Sequence, residues 1–99
     1  YADGLNRHLS NRVGNVFIKG KRVPIIGNIC MDTCMIDVTD TNATIGDEVE
    51  IFGPHNPVEV MAAQAGTIPY ELTCAVSKRV PRVYLQNGQV TERELLLRF

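Results

Sequence analysis

The stretch Val16-Phe17-Ile18-Lys19-Gly20-Lys21-Arg22-Val23-Pro24-Ile25-Ile26-Gly27-Asn28-Ile29 decides the fold. Residues 16–18 form a β-branched and aromatic run, and the turn formers Gly20-Lys21 separate it from a second apolar run over residues 23–29. Pro24 lies near the start of the second run, where a strand's first or edge position tolerates proline. The two runs therefore predict a β-hairpin.

Two further strands are predicted after this hairpin. Residues 34–39 alternate between apolar and other side chains, and residues 48–52 alternate before the chain reaches Gly53-Pro54. The segment between them is rich in turn formers. The first half of the chain is thus expected to be mostly β.

The hydrophobic period then changes to that of a helix. Apolar residues recur three and four apart at Val58, Met61, Ala62 and Ala65, and Gly66 occupies the position expected of a C-terminal capping glycine. A second helical segment beginning at Pro69 is expected to point Leu72, Ala75 and Val76 inward.

The last part of the chain returns to strand character. Residues 80–85 predict a strand, and Asn87-Gly88 is a strong hairpin dipeptide with a short partner strand at Gln89-Val90. Thr91 and Glu94 match a capping box ahead of three leucines, which predicts a terminal helical turn over residues 95–97.

Composition limits both the fold class and the partners. The 99 residues, 44% hydrophobic and 21% charged, indicate one domain spanning residues 1–99. The element pattern predicts a mainly β fold, a small Greek-key-like β-barrel with one or two short helices. A net charge of −1 argues against nucleic acid, and no apolar run is long enough to span a membrane. Three cysteines, an odd number, fit a reducing cytoplasm.

The reactive side chains form no self-sufficient site. Cys30 and Cys34 have a spacing compatible with zinc, but Cys74, His8 and His55 supply no second pair, so no metal site is expected. Buried, inert cysteines are predicted instead. Asp32 has no obvious turn to cap, and the basic run at residues 78–82 is either a solvated face or a surface for an anion.

Four motifs, in order and spacing, make the chain similar to the C-terminal domain of alanine racemase. They cover the chain from its first residue to about Tyr84, while residues 85–99 extend past the usual end of that domain and have no assigned role. The motifs are Tyr1-Ala2-Asp3-Gly4 followed by Arg7, Ile25-Ile26-Gly27-Asn28-Ile29-Cys30-Met31-Asp32, Gly66-Thr67-Ile68-Pro69-Tyr70-Glu71, and Ser77-Lys78-Arg79-Val80-Pro81-Arg82.

The resemblance implies a pyridoxal 5′-phosphate (PLP) enzyme that interconverts L- and D-alanine for peptidoglycan. In that family an N-terminal α/β barrel carries PLP on a lysine, and a head-to-tail homodimer places each C-terminal domain over the partner's active site. Two bases act on opposite faces of a planar carbanion while PLP withdraws electrons. The lysine lies in the barrel and the catalytic tyrosine lies upstream of Tyr1, so no catalytic residue is expected among these 99 residues.

The resemblance also assigns site residues. Met31 matches the methionine whose main-chain N–H binds the substrate carboxylate, and Asp32 beside it is expected to hold that turn. Tyr1, Arg7 and Ile68 match residues that line the substrate entryway. Tyr70 matches the inner-gate tyrosine of that entryway, whose hydroxyl reaches the PLP phosphate.

The sequence leaves other functions open. Many family members have an arginine where this chain has Asn28, which leaves open a racemase of serine or another small amino acid. A stand-alone, non-catalytic β binding module is a third reading. Because the chain begins at Tyr1 without a methionine, it is expected to be a fragment, inactive alone and lacking the barrel and the catalytic-tyrosine segment.

Overall fold

The computed structural model describes residues 1–94 as antiparallel β-structure with two short α-helices. A three-stranded sheet has the order β1-β2-β3, and β4 and β5 form a separate two-stranded ribbon. The elements are a 3₁₀ turn at Arg7–Leu9, β1 at Asn15–Ile18, β2 at Lys21–Ile26, β3 at Met35–Ile36, α1 at Val58–Ala65, α2 at Pro69–Cys74, β4 at Arg82–Gln86 and β5 at Gln89–Glu94.

The predicted first hairpin is confirmed. Strands β1 and β2 pair antiparallel with Ile18 opposite Lys21, so the loop consists of Lys19 and Gly20 alone. Both loop residues have positive φ, 50° and 76°, which matches the turn type that suits the twist of a two-residue hairpin. The second strand is shorter than predicted and ends at Ile26, because Gly27 adopts a φ of 66°.

The core forms where this hairpin packs against the helices. Strand β1 buries every second residue, and β2 buries Val23 and Ile25, as expected for a sheet with one covered face. Helix α1 ends at Gly66, whose φ of 76° confirms the predicted capping glycine. The buried hydrophobic side chains are Leu9, Val16, Ile18, Val23, Ile25, Ile29, Met61, Ala62, Ala65 and Leu72.

The mainly β class with two short helices is confirmed, and several local predictions are wrong. Helix α2 ends at Cys74, so Ala75 caps it and is exposed rather than inward-facing. The strand predicted over residues 34–39 is limited to Met35–Ile36, because Asp37 turns its carboxylate to the Thr39 N–H. The strands of residues 1–94 form two separate sheets, and they do not show a closed barrel.

The strand predicted over residues 48–52 is also wrong. Only Glu50 pairs with a strand, through two main-chain hydrogen bonds to Phe17 of 2.8 and 2.9 Å. The Glu50 carboxylate then accepts from the His55 N–H at 2.7 Å, and buried Asn56 donates to the carbonyl oxygens of Ile51 and Asn15. These polar contacts fold residues 50–56 into a closed turn instead of an extended strand.

The predictions for the last part of the chain and for the cysteines have different outcomes. The Asn87-Gly88 hairpin is confirmed, but Thr91 and Glu94 lie in β5, so they do not form a capping box. The helical turn predicted for residues 95–97 lies outside the described residues. The cysteines predicted to be buried, Cys30, Cys34 and Cys74, are all exposed free thiols.

Truncation of a core side chain should destabilise the fold. We expect Ile25→Ala to lower the free energy of unfolding by about 2–5 kcal/mol, because Ile25 is fully buried and the change leaves a cavity. The matched control is Ile45→Ala, since Ile45 is fully exposed and should change stability by less than about 0.5 kcal/mol. Urea unfolding of the protein containing this chain measures both. Equal losses for the two variants would contradict the assignment of the core.

The Glu50–His55 contact should make stability depend on acid pH. The His55 ring and main-chain N–H bond to Glu50 and hold the pKa of its carboxyl below the ordinary value. A lowered folded pKa gives stabilisation that is present above the ordinary pKa, about 4.5, and is lost as pH falls through the folded value. Melting temperatures of Glu50→Gln should therefore lie below wild type at neutral pH and converge with it in acid.

Exposed Glu48 provides the control for this pH experiment. Glu48→Gln removes a carboxylate two residues before Glu50 and leaves the Glu50–His55 contact intact. It should follow the wild-type pH profile throughout. A Glu50→Gln variant that keeps a constant difference from wild type between neutral and acid pH would show that this contact does not carry the dependence.

Candidate functional site

A wide open cavity of about 1020 Å³ lies against the core of the described chain. Its floor includes the buried side chains Ile29, Met61 and Leu72, which offer no polar atoms to a ligand. Tyr1 and Met31 at the edge are 43% and 56% exposed. Polar recognition at this edge therefore depends on the residues around Met31.

The loop of residues 30–33 presents an available main-chain donor. The Cys30 N–H closes the loop by donating to the Thr33 carbonyl at 2.9 Å, and the Ile29 N–H donates to the Ser10 hydroxyl at 2.9 Å. Within residues 1–94 the Met31 N–H donates no hydrogen bond. An N–H without an internal acceptor at an exposed edge can bind an anion.

A turn of residues 1–4 lies directly against this loop. Its Ala2 N–H donates to the Met31 carbonyl at 2.9 Å, and its Tyr1 nitrogen lies 2.7 Å from the Cys30 carbonyl oxygen and 2.9 Å from the Met31 carbonyl oxygen. Gly4 has a φ of 119°, and a Cβ there would lie 2.8 Å from the Ala75 carbonyl oxygen. The turn is therefore fitted closely between loop 30–33 and the end of α2.

The structure brings Tyr1 and Arg7 together. The Arg7 guanidinium lies over the Tyr1 ring, 5.2 Å from its centroid, in a cation–π contact. Arg7 begins the 3₁₀ turn, which Asn6 caps by accepting the His8 N–H at 2.8 Å. Two of the predicted entryway residues thus form one surface beside Met31.

Ile68 and Tyr70 lie at the beginning of α2. Ile68 is the extended residue before the helix and Pro69 occupies its first turn. The two side chains are 60% and 77% exposed and do not line the cavity. No hydrogen bond of the Tyr70 hydroxyl occurs among the described residues, so that hydroxyl is available to a ligand.

Asp32 and Asn28 flank Met31 but differ in their contacts. Asn28 is exposed and accepts a hydrogen bond from the Asn11 amide at 3.1 Å. The Asp32 carboxylate lines the cavity and makes no hydrogen bond within residues 1–94. Its role in holding the turn stays a prediction, whereas the contacts that hold loop 30–33 come from Tyr1, Ala2 and Ser10.

Glu50 and His55, which also line the cavity, form a polar pair that the sequence did not predict. The His55 ring stacks on Phe17 with centroids 4.6 Å apart, and its Nδ1 lies 3.1 Å from a Glu50 oxygen. In the sequence Gly53-Pro54 lies between Glu50 and His55, and this dipeptide predicts only the end of a strand. Their contact depends on the closed turn of residues 50–56.

In residues 1–94 no three histidine, cysteine or acidic side chains are grouped so that they could hold a metal ion. None of the helices in that range has the length and apolar character needed to cross a membrane.

Comparison with known proteins gives a consistent family. The family model described as the alanine racemase C-terminal domain matches residues 1–84. The chain is 52% identical over 88 residues to an alanine racemase of Desulfovibrio desulfuricans, covering 87% of this chain and 24% of that protein. It is 54% identical over 93 residues to alanine racemase 1 of Caldanaerobacter subterraneus subsp. tengcongensis, covering 89% of this chain and 24% of that protein.

Solved structures agree with this result. An alanine racemase of Clostridium difficile 630 superposes with a TM-score of 0.88 at 39% identity, over 98% of this chain and 27% of that one. An alanine racemase of Bartonella henselae with covalently bound pyridoxal phosphate gives a TM-score of 0.78 at 42% identity, over 86% of this chain and 25% of that one.

The chain therefore spans about a quarter of the length of the relatives it matches. Those relatives are isomerases, and the matched region is their C-terminal part. The motifs, the fold and the two kinds of comparison agree: this chain belongs to the alanine racemase C-terminal domain family.

Proposed function

We propose that this chain is the C-terminal domain of a PLP-dependent racemase that interconverts L- and D-alanine. In this proposal the Met31 main-chain N–H binds the substrate carboxylate in the active site of a second subunit. The observation that carries the proposal is that this N–H has no acceptor within residues 1–94 and lies at the exposed edge of the cavity.

A main-chain donor suits this role for a physical reason. It forms a charge-assisted hydrogen bond with a carboxylate, and it cannot titrate or release a proton near the reacting carbon. Met31 is exposed rather than turned into its own core, which favours a substrate held by another polypeptide. Tyr1 and Arg7 next to it form one wall of the route by which the amino acid enters.

The residues present also fit a PLP phosphate. Tyr70 offers an exposed phenol hydroxyl that can donate to a phosphate oxygen, and it stands on a short helix fixed by Pro69. When bound, PLP withdraws electrons from the α-carbon and so makes its proton removable. The Schiff-base lysine and the catalytic tyrosine belong to the rest of the protein, so this chain binds and orients but does not itself move the proton.

The open cavity supports the proposed partners. An apolar floor facing water is unfavourable, and the relatives are about four times as long as the matched region. We infer that the N-terminal barrel and a second subunit, arranged head-to-tail, cover this face. In this proposal residues 1–99 form one C-terminal domain. The three free thiols fit a cytoplasmic enzyme that supplies D-alanine for peptidoglycan.

A second candidate substrate is serine. Asn28 is an exposed, uncharged amide three residues before Met31, and a carboxamide can hydrogen-bond a substrate hydroxyl. Many family members have arginine here. The substrate preference of the parent protein is therefore open to a direct test at this position.

Removal of the Met31 N–H should weaken substrate binding. We expect Met31→Pro in the full-length enzyme to raise KM for L- and D-alanine by about 10- to 100-fold with kcat nearly unchanged, because a hydrogen bond to a charged group contributes about 1.5–3 kcal/mol. Steady-state kinetics in both directions measures this.

Met31→Leu is the matched control, since it keeps the N–H and replaces only the exposed side chain. It should retain the wild-type KM, and both variants should retain the absorbance of bound PLP. If Met31→Pro keeps a wild-type KM, the proposed role of this amide is wrong.

Asn28→Arg tests the substrate preference. If Asn28 sets it, the ratio of kcat/KM for L-alanine to that for L-serine should rise in the variant, because the added charge and bulk disfavour the larger polar substrate. Asn11→Ala removes the partner of Asn28 without adding charge and serves as the control. An identical ratio in Asn28→Arg and wild type would exclude Asn28 as the determinant.

A further inference from the structure

The orientation of the Met31 N–H is determined by the peptide group to which it belongs. That group consists of the Cys30 carbonyl and the Met31 N–H, and the chain has no cis peptide bond. In a planar trans peptide the C=O and N–H bonds point in opposite directions. The direction of the Cys30 carbonyl therefore fixes the direction of the Met31 donor.

The turn of residues 1–4 holds the peptide groups on both sides of Met31. The Tyr1 nitrogen lies 2.7 Å from the Cys30 carbonyl oxygen and 2.9 Å from the Met31 carbonyl oxygen, so the Cys30 carbonyl faces the turn and the Met31 N–H points away from it. The Ala2 N–H donates to the Met31 carbonyl at 2.9 Å and fixes the following peptide. Hydrogen bonds in series also polarise a peptide group, so the Cys30–Met31 amide becomes a better donor.

The turn is itself anchored at a distance from the loop. The Ser77 N–H donates to the Asp3 carbonyl at 3.2 Å, and the Arg79 guanidinium lies 3.7 Å from the Asp3 carboxylate. Gly4 packs against the Ala75 carbonyl, where a larger residue does not fit. The turn is thus braced against the chain that follows α2, the helix that carries Tyr70.

We propose that turn 1–4 is a positioning element for carboxylate binding, in which the main-chain N–H of Ala2 prevents the peptides around Met31 from rotating. This inference rests on the proposed role of the Met31 amide. Ala2 touches no substrate in this proposal and acts through Met31. The element couples the entryway residue Tyr1 to the donor that receives the substrate.

The turn geometry allows the Ala2 donor to be removed alone. The Gly4 N–H donates to the Tyr1 carbonyl at 3.1 Å, so Ala2 and Asp3 are the central residues of a β-turn, and neither has positive φ. Proline is favoured at the first central position of such a turn. Ala2→Pro therefore deletes the Ala2 hydrogen bond to the Met31 carbonyl and keeps the turn, with the Tyr1 nitrogen still 2.9 Å from that carbonyl, while Ala2→Ser keeps both the bond and the turn.

The experiment compares these variants in the full-length, PLP-loaded enzyme. We expect Ala2→Pro to raise KM for both alanine enantiomers by about three- to tenfold, consistent with one main-chain hydrogen bond, and to leave kcat within about twofold of wild type. The inhibition constant of propionate, which is alanine without its amine, should rise by the same factor. Ala2→Ser should have the wild-type KM, kcat and inhibition constant of propionate.

A double variant separates a positioning role from general destabilisation. Ala2→Pro added to Met31→Pro should not raise KM further, because the group that it positions is already absent. The inference would be overturned if the increases in KM of the two single variants multiplied in the double variant. It would also be overturned if Ala2→Pro left both KM and the inhibition constant of propionate unchanged. If Met31→Pro raises KM and Ala2→Pro does not, only the inference fails, and if Met31→Pro has no effect, the proposed role of the Met31 amide fails.

A measurement on the unaltered enzyme covers the case in which Ala2→Pro does not fold. Hydrogen exchange of the Ala2 amide should be slower than that of an exposed amide, and slower again with propionate bound. Exchange at the rate of an exposed amide, with or without propionate, would overturn the inference.

Discussion

The rest of the site depends on how main-chain hydrogen bonds are distributed over loop 30–33. Its carbonyl groups accept from Tyr1, Ala2 and Cys30, whereas the Met31 N–H has no acceptor in residues 1–94. Buried main-chain donors are nearly always paired, whereas the Met31 N–H lies in an exposed loop at the cavity edge, where a ligand from elsewhere can reach it. In the proposed function a substrate carboxylate accepts from that N–H in a charge-assisted hydrogen bond.

The hairpin and its core explain why the loop can hold this geometry. Strand β2 leads from buried Ile25 to Gly27, and buried Ile29 then anchors the chain just before the loop. The loop is held from the other side by turn 1–4, which is braced against the chain after α2. The loop that carries the Met31 N–H is therefore held by buried Ile29 and by turn 1–4, although every residue from Cys30 to Cys34 is exposed.

The sequence predicted elements whose signal is local. The first hairpin, the Asn87-Gly88 hairpin and the glycine that ends α1 depend on residues that are neighbours along the chain, and each was confirmed. Predictions failed where a polar side chain overrode a periodic pattern. Glu50 binds His55 and bends a segment whose residues alternate as in a strand. Thr91 lies within β5, although its spacing to Glu94 predicted the start of a helix.

The site was predictable only in part. The motif around Met31 pointed to the loop through family resemblance, and the Tyr1-Ala2-Asp3-Gly4 pattern is typical of a turn. No sequence pattern could show that the Ala2 N–H reaches a carbonyl twenty-nine residues away, because main-chain hydrogen bonds do not depend on residue type. Neither could it show that Met31 lines the cavity and Tyr70 does not.

The central claim is tested most directly by a crystal structure of the full-length enzyme with PLP and a bound substrate carboxylate. The account predicts a carboxylate oxygen about 2.7–3.2 Å from the Met31 nitrogen of the partner subunit, with the Ala2 N–H still bonded to the Met31 carbonyl. A Met31 N–H that is bonded within its own domain, or that faces away from the carboxylate, would contradict it.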